Sequence, residues 1–257
     1  MENIKVPGMR LGRGPRLDDP RTIQLTDLLA PTVPSAPAML DLTVGIKDWP
    51  MYANDRLGDC TCAALGHMLE VWSQEAAGSA RILSDQDIVT LYDLVNGGQD
   101  NGASELTVLR VMRGGAGLAG DHVFAYAAVD PSNQPLVRAA TWMFSGLYIG
   151  IAMPKSAQAQ VGHVWTPVAG PDGQAGGWGG HAVNVVGYDA SGLTVVTWGR
   201  MQRMDWAFWK AYVDEAWALL PVDFEVFKSR LAPAGFNFAQ LQGLLQNVGP
   251  VDQLTAP

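Results

Sequence analysis

The sequence predicts an α+β fold with two lobes on either side of a cleft. Helical patterns dominate the chain from residue 60 to about residue 145, whereas β-rich runs appear in the second half. The composition is that of a globular protein, with 48% hydrophobic and 16% charged residues among 257. Because helices come first and strands second, we expect each kind of element to form its own lobe.

The first predicted helix runs from Cys60 to about Ala77. Asp59 precedes it as the N-cap candidate, because its carboxylate is available to the unpaired amides of the first turn. Apolar residues with a helical period predict one buried face on this helix: Leu65, Met68, Leu69, Trp72 and Ala76.

Two further helices begin at capping sequences. In "LSDQDIVTLYDLVNGG", Ser84 and Asp87 form a capping-box pattern and Gly97 ends the helix. The stretch "ASELTVLRVMRGG" repeats this pattern from Ser104 to Gly114. The first lobe is therefore predicted to be helical.

The later elements are one more helix, several strands and a final helix. A helix near 135–145 leads into a short apolar strand at 147–153. The runs "HAVNVVGY" (181–188) and "LTVVTW" (193–198) are separated by the turn residues "DASG", which predicts an antiparallel hairpin. The stretch "MDWAFWKAYVDEAWALL" (204–220) is predicted to be a single aromatic-rich helix.

The chain divides into three predicted parts. Residues 1–50 form an extended, proline-rich N-terminal arm, because "RGPRLDDPRTIQ" and "APTVPSAPAM" interrupt any helical period. This arm either packs over the domain surface or is a removable pro-segment. Residues 51–220 form the main domain, and residues 221–257 form a C-terminal extension.

Net charge and hydropathy exclude several classes of partner. The formal net charge is −8, and no cluster of Lys and Arg is present to bind phosphates, so neither nucleic acid nor an anionic membrane is an expected partner. The sequence "MENIKVPGMRLGRG" lacks an apolar signal region, and no 18-residue apolar run occurs. We therefore expect a cytoplasmic or virion-associated protein with no signal peptide and no transmembrane segment.

Both cysteines lie in one short stretch, "RLGDCTCAAL". They are too close for a disulfide framework, which favours a reducing compartment or thiol chemistry. Cys60 is placed at a helix N-terminus, where the macrodipole and unpaired amides are expected to lower the pKa of a thiol. Cys62 is expected to be a small buried hydrophobe. Two alternatives stay open: Cys62 is the nucleophile, or both thiols are inert core residues.

Four histidines are candidates for a base beside the thiol. His67 follows Cys60 by seven residues on the same predicted helix, about 10 Å along its axis, so it cannot reach the thiol and is expected to be partly exposed. His122 and His163 have no supporting pattern. His181 lies in "GGWGGHAVNVVGYD", at the junction of a glycine loop and a buried strand, which favours it as the base.

Three ordered landmarks resemble the papain-like cysteine peptidases of clan CA, in a bacterial or bacteriophage branch. Asn54 lies six residues before Cys60, where that family has an oxyanion-hole Gln; "HAVNVVGY" resembles the family's histidine strand; and "TWG" at 197–199 resembles its Ser-Trp-Gly. The segments "LSDQDIV" and "DNGASELTVLRVM" are also similar, and the match runs over about 54–200. The resemblance implies a papain-like two-lobed fold, Cys60 as nucleophile, His181 as base and Asn54 as oxyanion donor.

The sequence departs from the family at the residue that orients the histidine. The family has Asn or Asp there; this chain has Val196, or Thr197 if the alignment shifts by one residue. A Thr197 hydroxyl can accept from the imidazole of His181 but supplies no charge. By resemblance, Trp198 shields the histidine from water, or is an ordinary core aromatic. Gly102 resembles the glycine whose backbone pairs with an extended substrate, or is only the turn before the third helix.

The resemblance implies a cysteine peptidase or amidase that acts on a peptide or protein and needs no cofactor and no metal. The missing orienting residue is equally compatible with a catalytically silent papain-like module that has a structural or binding role, for example in a phage particle with protein assembly partners. A cell-wall peptidase of the NlpC/P60 type is disfavoured by the long gap between Cys60 and His181. A transglutaminase-like acyl transferase uses the same chemistry and stays open.

Overall fold

The structure is a computed structural model that describes residues 8–29, 35–222, 231 and 236–248. The predicted arm therefore extends outside the described residues at 1–7 and 30–34, and the predicted C-terminal extension at 223–230, 232–235 and 249–257. In the described residues the α-helices are α1 (Cys60–Ala77), α2 (Asp85–Asn96), α3 (Glu105–Gly114), α4 (Gln134–Met143), α5 (Trp206–Tyr212) and α6 (Phe238–Val248).

Eight strands form one sheet in the described part of the chain. They are β1 (Leu40–Asp41), β2 (Val123–Ala128), β3 (Leu147–Met153), β4 (Val164–Trp165), β5 (Gly179–Tyr188), β6 (Gly192–Thr197), β7 (Arg200–Asp205) and β8 (Val213–Pro221). The order is β2-β8-β3-β5-β6-β7-β4, and β1 also pairs with β5. All pairs are antiparallel except β4 with β7. The predicted α+β class is confirmed.

The first three helices begin where their capping residues predict. Ser84 and Asp87 complete the capping box of α2, and the side chain of Ser104 accepts the backbone N–H of Thr107 at the start of α3. Asp59 occupies the N-cap position of α1, but its carboxylate makes no capping hydrogen bond. The expected capping hydrogen bond is therefore wrong, because the backbone of Asp59 (φ −98°, ψ 16°) is not in the extended conformation from which a side chain caps a helix.

The hairpin and the apolar strand at 147–153 form as predicted, as β5–β6 and β3. The single helix predicted at 204–220 is wrong, because only α5 is helical and the chain then continues as β8, between β2 and β3. All residues from 215 to 220 are buried. A strand buried on both faces shows no polar alternation, so its sequence resembles a buried helix.

The cleft is set by the packing of α1 against β5. This contact brings the first residue of α1 close to the first residues of β5. The N-terminal arm does not lie free: its strand β1 pairs with β5, and its segment around residue 13 pairs with the loop before α3. Within the described residues no helix is long and apolar enough to cross a membrane.

Candidate active site

The N-terminal arm lies in the cleft as an extended peptide held by both walls. The N–H of Gly14 donates to the carbonyl of Ala103 (2.8 Å), and the N–H of Ala103 donates to the carbonyl of Gly12 (2.8 Å). On the opposite wall, the N–H of Arg13 donates to the carbonyl of Gly180 (3.1 Å). Ala103 precedes α3 and Gly180 lies at the start of β5, so the arm bridges the helical part and the sheet.

Close backbone approach requires glycine at two points of this contact. A Cβ on Gly12 would lie 1.8 Å from the carbonyl oxygen of Gly58, so the arm cannot hold this path with a side chain there. Gly102 has φ +80°, and its Cβ would lie 2.2 Å from the Gly12 oxygen. The predicted pairing glycine thus makes room for the arm, while Ala103 makes the hydrogen bonds; a role in substrate binding stays a prediction.

Cys60 is the first residue of α1 and is 1% exposed. Burial raises the pKa of its thiol to about 11, although the nearby backbone amides of Ala182 and Gly12 act in the opposite direction. The expected low thiol pKa is therefore wrong for this closed arrangement, because desolvation outweighs the helix terminus. Cys62 is a free, fully buried thiol whose pKa burial also raises.

His181 lies at the start of β5, next to the amide that faces Cys60, and is fully buried. Its Nε2 shares a 2.6 Å hydrogen bond with Oγ1 of Thr197. Its Nδ1 has no hydrogen-bond partner in the described part of the chain. Burial, and then the charge of Arg13, lowers the pKa of His181 to about 3. With the proton on Nε2, the ring therefore keeps a free lone pair on Nδ1.

Trp198 covers the imidazole. Its indole stacks on the ring of His181 with centroids 4.3 Å apart and planes 14° apart. Its Nε1–H donates to the carbonyl of Arg10 in the arm (3.0 Å). The same side chain therefore contacts the histidine and holds the arm, whereas its role toward a substrate stays a prediction.

Asn54 points into its own loop. Its Nδ2 donates to the carbonyl of Leu57 (3.1 Å), and its backbone carbonyl accepts from the N–H of Arg10 (2.9 Å). Asp59 is fully buried with no hydrogen-bond partner among the described residues. Burial raises the pKa of this carboxyl to about 7, with the Asn54 amide acting in the opposite direction. The oxyanion role of Asn54 stays a prediction that requires its amide to turn.

His67 lies outside the cleft. It is 2% exposed, so the expectation of an exposed residue is wrong. Its Nε2 contacts the carbonyl of Pro50 (2.8 Å), its ring packs on Tyr52 with centroids 5.0 Å apart, and burial lowers its pKa to about 4. The side chain lies in the interior because every residue of α1 from Cys60 to Met68 is buried, so this part of the helix has no solvent-facing side.

Sequence reasoning missed the residues that form a pocket beside the cleft. Arg13 enters it from the arm and meets Glu105, Asp214 and Glu215. The only local signal was the pair of glycines around this arginine, in "LGRG". The three acidic residues belong to α3 and β8, which are distant in sequence, so only the folded chain brings them together.

Several solved structures are similar to this chain. Xylellain, a cysteine protease from Xylella fastidiosa, has a TM-score of 0.62 at 17% identity over 83% of this chain and 96% of its own. The cysteine protease and lectin-like domains of Cwp84 from Clostridium difficile have a TM-score of 0.60 at 12% identity. The match covers 84% of this chain and 56% of theirs. Bromelain from Ananas comosus, in complex with the E64 inhibitor, has a TM-score of 0.50 at 14% identity. The match covers 72% of this chain and 99% of bromelain.

No protein-family model and no curated protein sequence matches this chain. The structural neighbours are papain-like cysteine proteases, and the similarity establishes a papain-like fold for this chain. The predicted papain-like architecture is thereby confirmed. The bacterial or bacteriophage branch stays a prediction.

Proposed function

We propose that the protein is a papain-like cysteine peptidase or amidase, with Cys60 as nucleophile and His181 as base. One observation carries this proposal: a peptide, the chain's own arm, lies over the Cys60 thiol and is held through its backbone by both walls of the cleft. Backbone pairing of this kind binds extended peptides with little regard to sequence. The cleft is thus suited to a peptide or protein substrate.

In the proposed reaction, Nδ1 of His181 takes the proton of Cys60 as its sulfur attacks the substrate carbonyl carbon. An S–C bond forms and the carbonyl π electrons move to oxygen. Collapse of this intermediate breaks the C–N bond, and His181 gives its proton to the leaving amine. Water then attacks the thioester, which releases the acid and restores the thiol. No other reactant is needed.

The negative charge that develops on the carbonyl oxygen needs hydrogen-bond donors. The backbone amide of Cys60 is one candidate, because an amide in the first turn of α1 has no helical acceptor. Asn54 is the second, once its side-chain amide leaves the carbonyl of Leu57. Two such donors are the usual composition of an oxyanion hole.

Thr197 takes the orienting role in this proposal. It is 4% exposed, and its hydroxyl fixes the imidazole from the side opposite the free Nδ1 of His181. A neutral hydroxyl contributes about 0.5–1.5 kcal/mol as a hydrogen bond, so it positions the ring but stabilises an imidazolium weakly. Trp198 restricts the ring through stacking and excludes water.

The closed arrangement is inactive in this proposal. Cys60 and His181 are both buried, with the thiol pKa raised and the imidazole pKa lowered, so both are neutral near pH 7. A substrate requires the backbone positions that Gly12 and Arg13 now occupy. Of the two interpretations of the arm, these contacts favour the pro-segment.

Displacing the arm within the full chain tests this proposal. Gly12→Ala places a Cβ against the Gly58 carbonyl and should move the arm out of the cleft, whereas a Cβ at Gly243 in α6 meets no described atom within 4 Å. We expect Gly12→Ala to hydrolyse denatured casein at least about tenfold faster than the wild type, and Gly243→Ala to match the wild type. If Cys60 of Gly12→Ala is exposed to a thiol label but the variant hydrolyses neither casein nor any peptide mixture, the result would favour the catalytically silent module.

A further inference from the structure

The side chain of Arg13 occupies a built pocket beside the cleft and is 3% exposed. Its Nη2 lies 2.5 Å from Oδ1 of Asp214, and its Nη1 lies 3.3 Å from Oδ2. Its Nε lies 3.5 Å from a carboxylate oxygen of Glu215 and 3.8 Å from one of Glu105. One guanidinium thus faces three carboxylates that come from α3 and β8.

Two of these carboxylates depend on the arm for their partner. The side chain of Glu105 is 0% exposed and that of Glu215 is 3% exposed, and neither carboxylate has a hydrogen bond within the described residues. Burial, and then the neighbouring Glu215, raises the pKa of Glu105 well above its usual range. When Arg13 leaves, this buried acidic pair loses the cation that faces it, and a second guanidinium would restore the contact.

The pocket has the shape of an arginine side chain. Gly150 on β3 forms its floor, since a Cβ there would lie 2.2 Å from Nε of Arg13. At its mouth, Asp214 is half-exposed and meets two guanidinium nitrogens with both oxygens. A planar fork fills this arrangement with two parallel hydrogen bonds, whereas an ammonium group meets it with a single charge.

We propose that the pocket formed by Glu105, Gly150, Asp214 and Glu215 is a specificity subsite for arginine. Substrate peptides would carry this arginine next to the residue that lies over Cys60, as Arg13 lies next to Gly12. The proposal rests on the proposed peptidase function and names its substrate class. The contact of two guanidinium nitrogens with both oxygens of Asp214 is the observation that points to arginine as the ligand.

Peptide binding to a full-length protein that cannot cleave tests the subsite. In the double variant Gly12→Ala with Cys60→Ser, the affinity is measured by calorimetry for a synthetic peptide copying residues 8–18. Two matched peptides carry leucine or lysine in place of the arginine at position 13. We expect the arginine peptide to bind about tenfold or more tightly than the leucine peptide, with lysine between them.

Substitutions in the pocket should remove this preference. In Glu215→Gln and in Gly150→Ala, the affinity for the arginine peptide should fall to within about threefold of the affinity for the leucine peptide. The first variant removes a charge from the pocket, and the second removes the space that the guanidinium fills. Because a buried substitution can prevent folding, Asp214→Asn at the half-exposed mouth is the second charge variant. Equal binding of the three peptides by the double variant, or no binding of any, overturns the subsite.

A cleavage experiment distinguishes failure of the arginine subsite from failure of the proposed peptidase function. The single variant Gly12→Ala is given a digest of unrelated proteins, and cut sites are identified by mass spectrometry. Arginine enriched at one fixed position beside the cuts, and lost in Glu215→Gln, supports the subsite. Cuts without any enrichment overturn the subsite and leave the peptidase standing. Arginine-selective binding without any cut overturns the peptidase and leaves the pocket.

Discussion

The cleft and the polar cluster formed by Tyr52, His67 and Glu70 both bury a histidine, but their polar groups are satisfied by different parts of the chain. In the cluster the partners are Pro50, at the junction of the arm and the main domain, and residues of the main domain. His67 contacts the carbonyl of Pro50, Tyr52 donates a short hydrogen bond to Glu70, and the N–H of Leu83 donates to the Tyr52 hydroxyl (3.2 Å). None of these contacts involves residues 10–14, the part of the arm that lies in the cleft.

In the cleft the arm supplies the partners. The Gly12 amide faces the thiol of Cys60, Trp198 donates to the arm carbonyl of Arg10, and Arg13 faces the buried carboxylates of the pocket. Both regions contain buried groups with shifted pKa values, so burial alone does not identify a site. The difference is that arm residues 10–13 complete one region, whereas Pro50 and the main domain complete the other.

The largest expected effect separates the two thiols. In the Gly12→Ala background, Cys60→Ala and His181→Ala should each lower casein hydrolysis by more than about a thousandfold, because each removes a group that makes or transfers a bond. Cys62→Ala is the matched control and should keep most of the activity, since that thiol packs in the core. Loss of activity in Cys62→Ala with an unchanged fold would assign the nucleophile to the wrong cysteine.

The two buried histidines should respond differently when the arm moves. NMR titration of the wild type should give depressed pKa values for both, about 3 for His181 and about 4 for His67. In Gly12→Ala, the pKa of His181 should rise toward about 6.5, because water enters and Arg13 leaves. The pKa of His67 should stay where it is. A rise at both sites, or at neither, would show that the position of the arm does not set the pKa of His181.

The cluster should govern stability rather than activity. Burial raises the pKa of Glu70 from 4.5 to about 7, with the Tyr52 hydrogen bond acting in the opposite direction. Its neutral form therefore stabilises the folded state below pH 4.5, and this contribution is lost as the pH rises through about 7. In Glu70→Gln, the fall in the free energy of unfolding over this range should be about 3 kcal/mol smaller.

Denaturant titrations at several pH values check this expectation. The Gly12→Ala variant, in which the cluster is untouched, should keep the wild-type dependence on pH from Glu70. An identical fall in Glu70→Gln and in the wild type would show that the carboxyl ionises equally in both states.

Thr197 should have the smallest effect. In the Gly12→Ala background, Thr197→Val should lower kcat by about tenfold or less, since it removes one neutral hydrogen bond to His181. Thr197→Ser keeps the hydroxyl and should keep the rate. The dependence of kcat on pH should shift in Thr197→Val but not in Thr197→Ser, because only the first variant changes the hydrogen bond to the imidazole. A packing defect alone would lower kcat without this shift. A thousandfold loss in Thr197→Val would mean that the hydroxyl does more than orient the ring.

Elements whose signals are local were predictable from the sequence. The capping residues Ser84 and Ser104 mark α2 and α3, and the "DASG" turn marks the β5–β6 hairpin, because each depends on contacts within a few residues. Strand β8 was not predictable as a strand. Its continuous apolar run reflects burial on both faces, which only the neighbouring strands decide.

Only those residues of the candidate site that belong to a recognisable sequence motif could be predicted. Cys60, His181 and the Thr197 contact follow from short ordered landmarks. The position of the arm does not, since a proline- and glycine-rich segment takes its path from tertiary contacts rather than from periodicity. For the same reason no sequence pattern joined Arg13 to Glu105.

Labelling of the two thiols measures whether the arm closes a reactive site. Wild type and Gly12→Ala are treated briefly with iodoacetamide at pH 7, and fragment-ion mass spectrometry assigns the label to Cys60 or Cys62. The wild type should label slowly at both, and Gly12→Ala should label Cys60 at least about tenfold faster while Cys62 stays slow. Equal rates for Cys60 in both proteins, or the same acceleration at Cys62, would contradict the account.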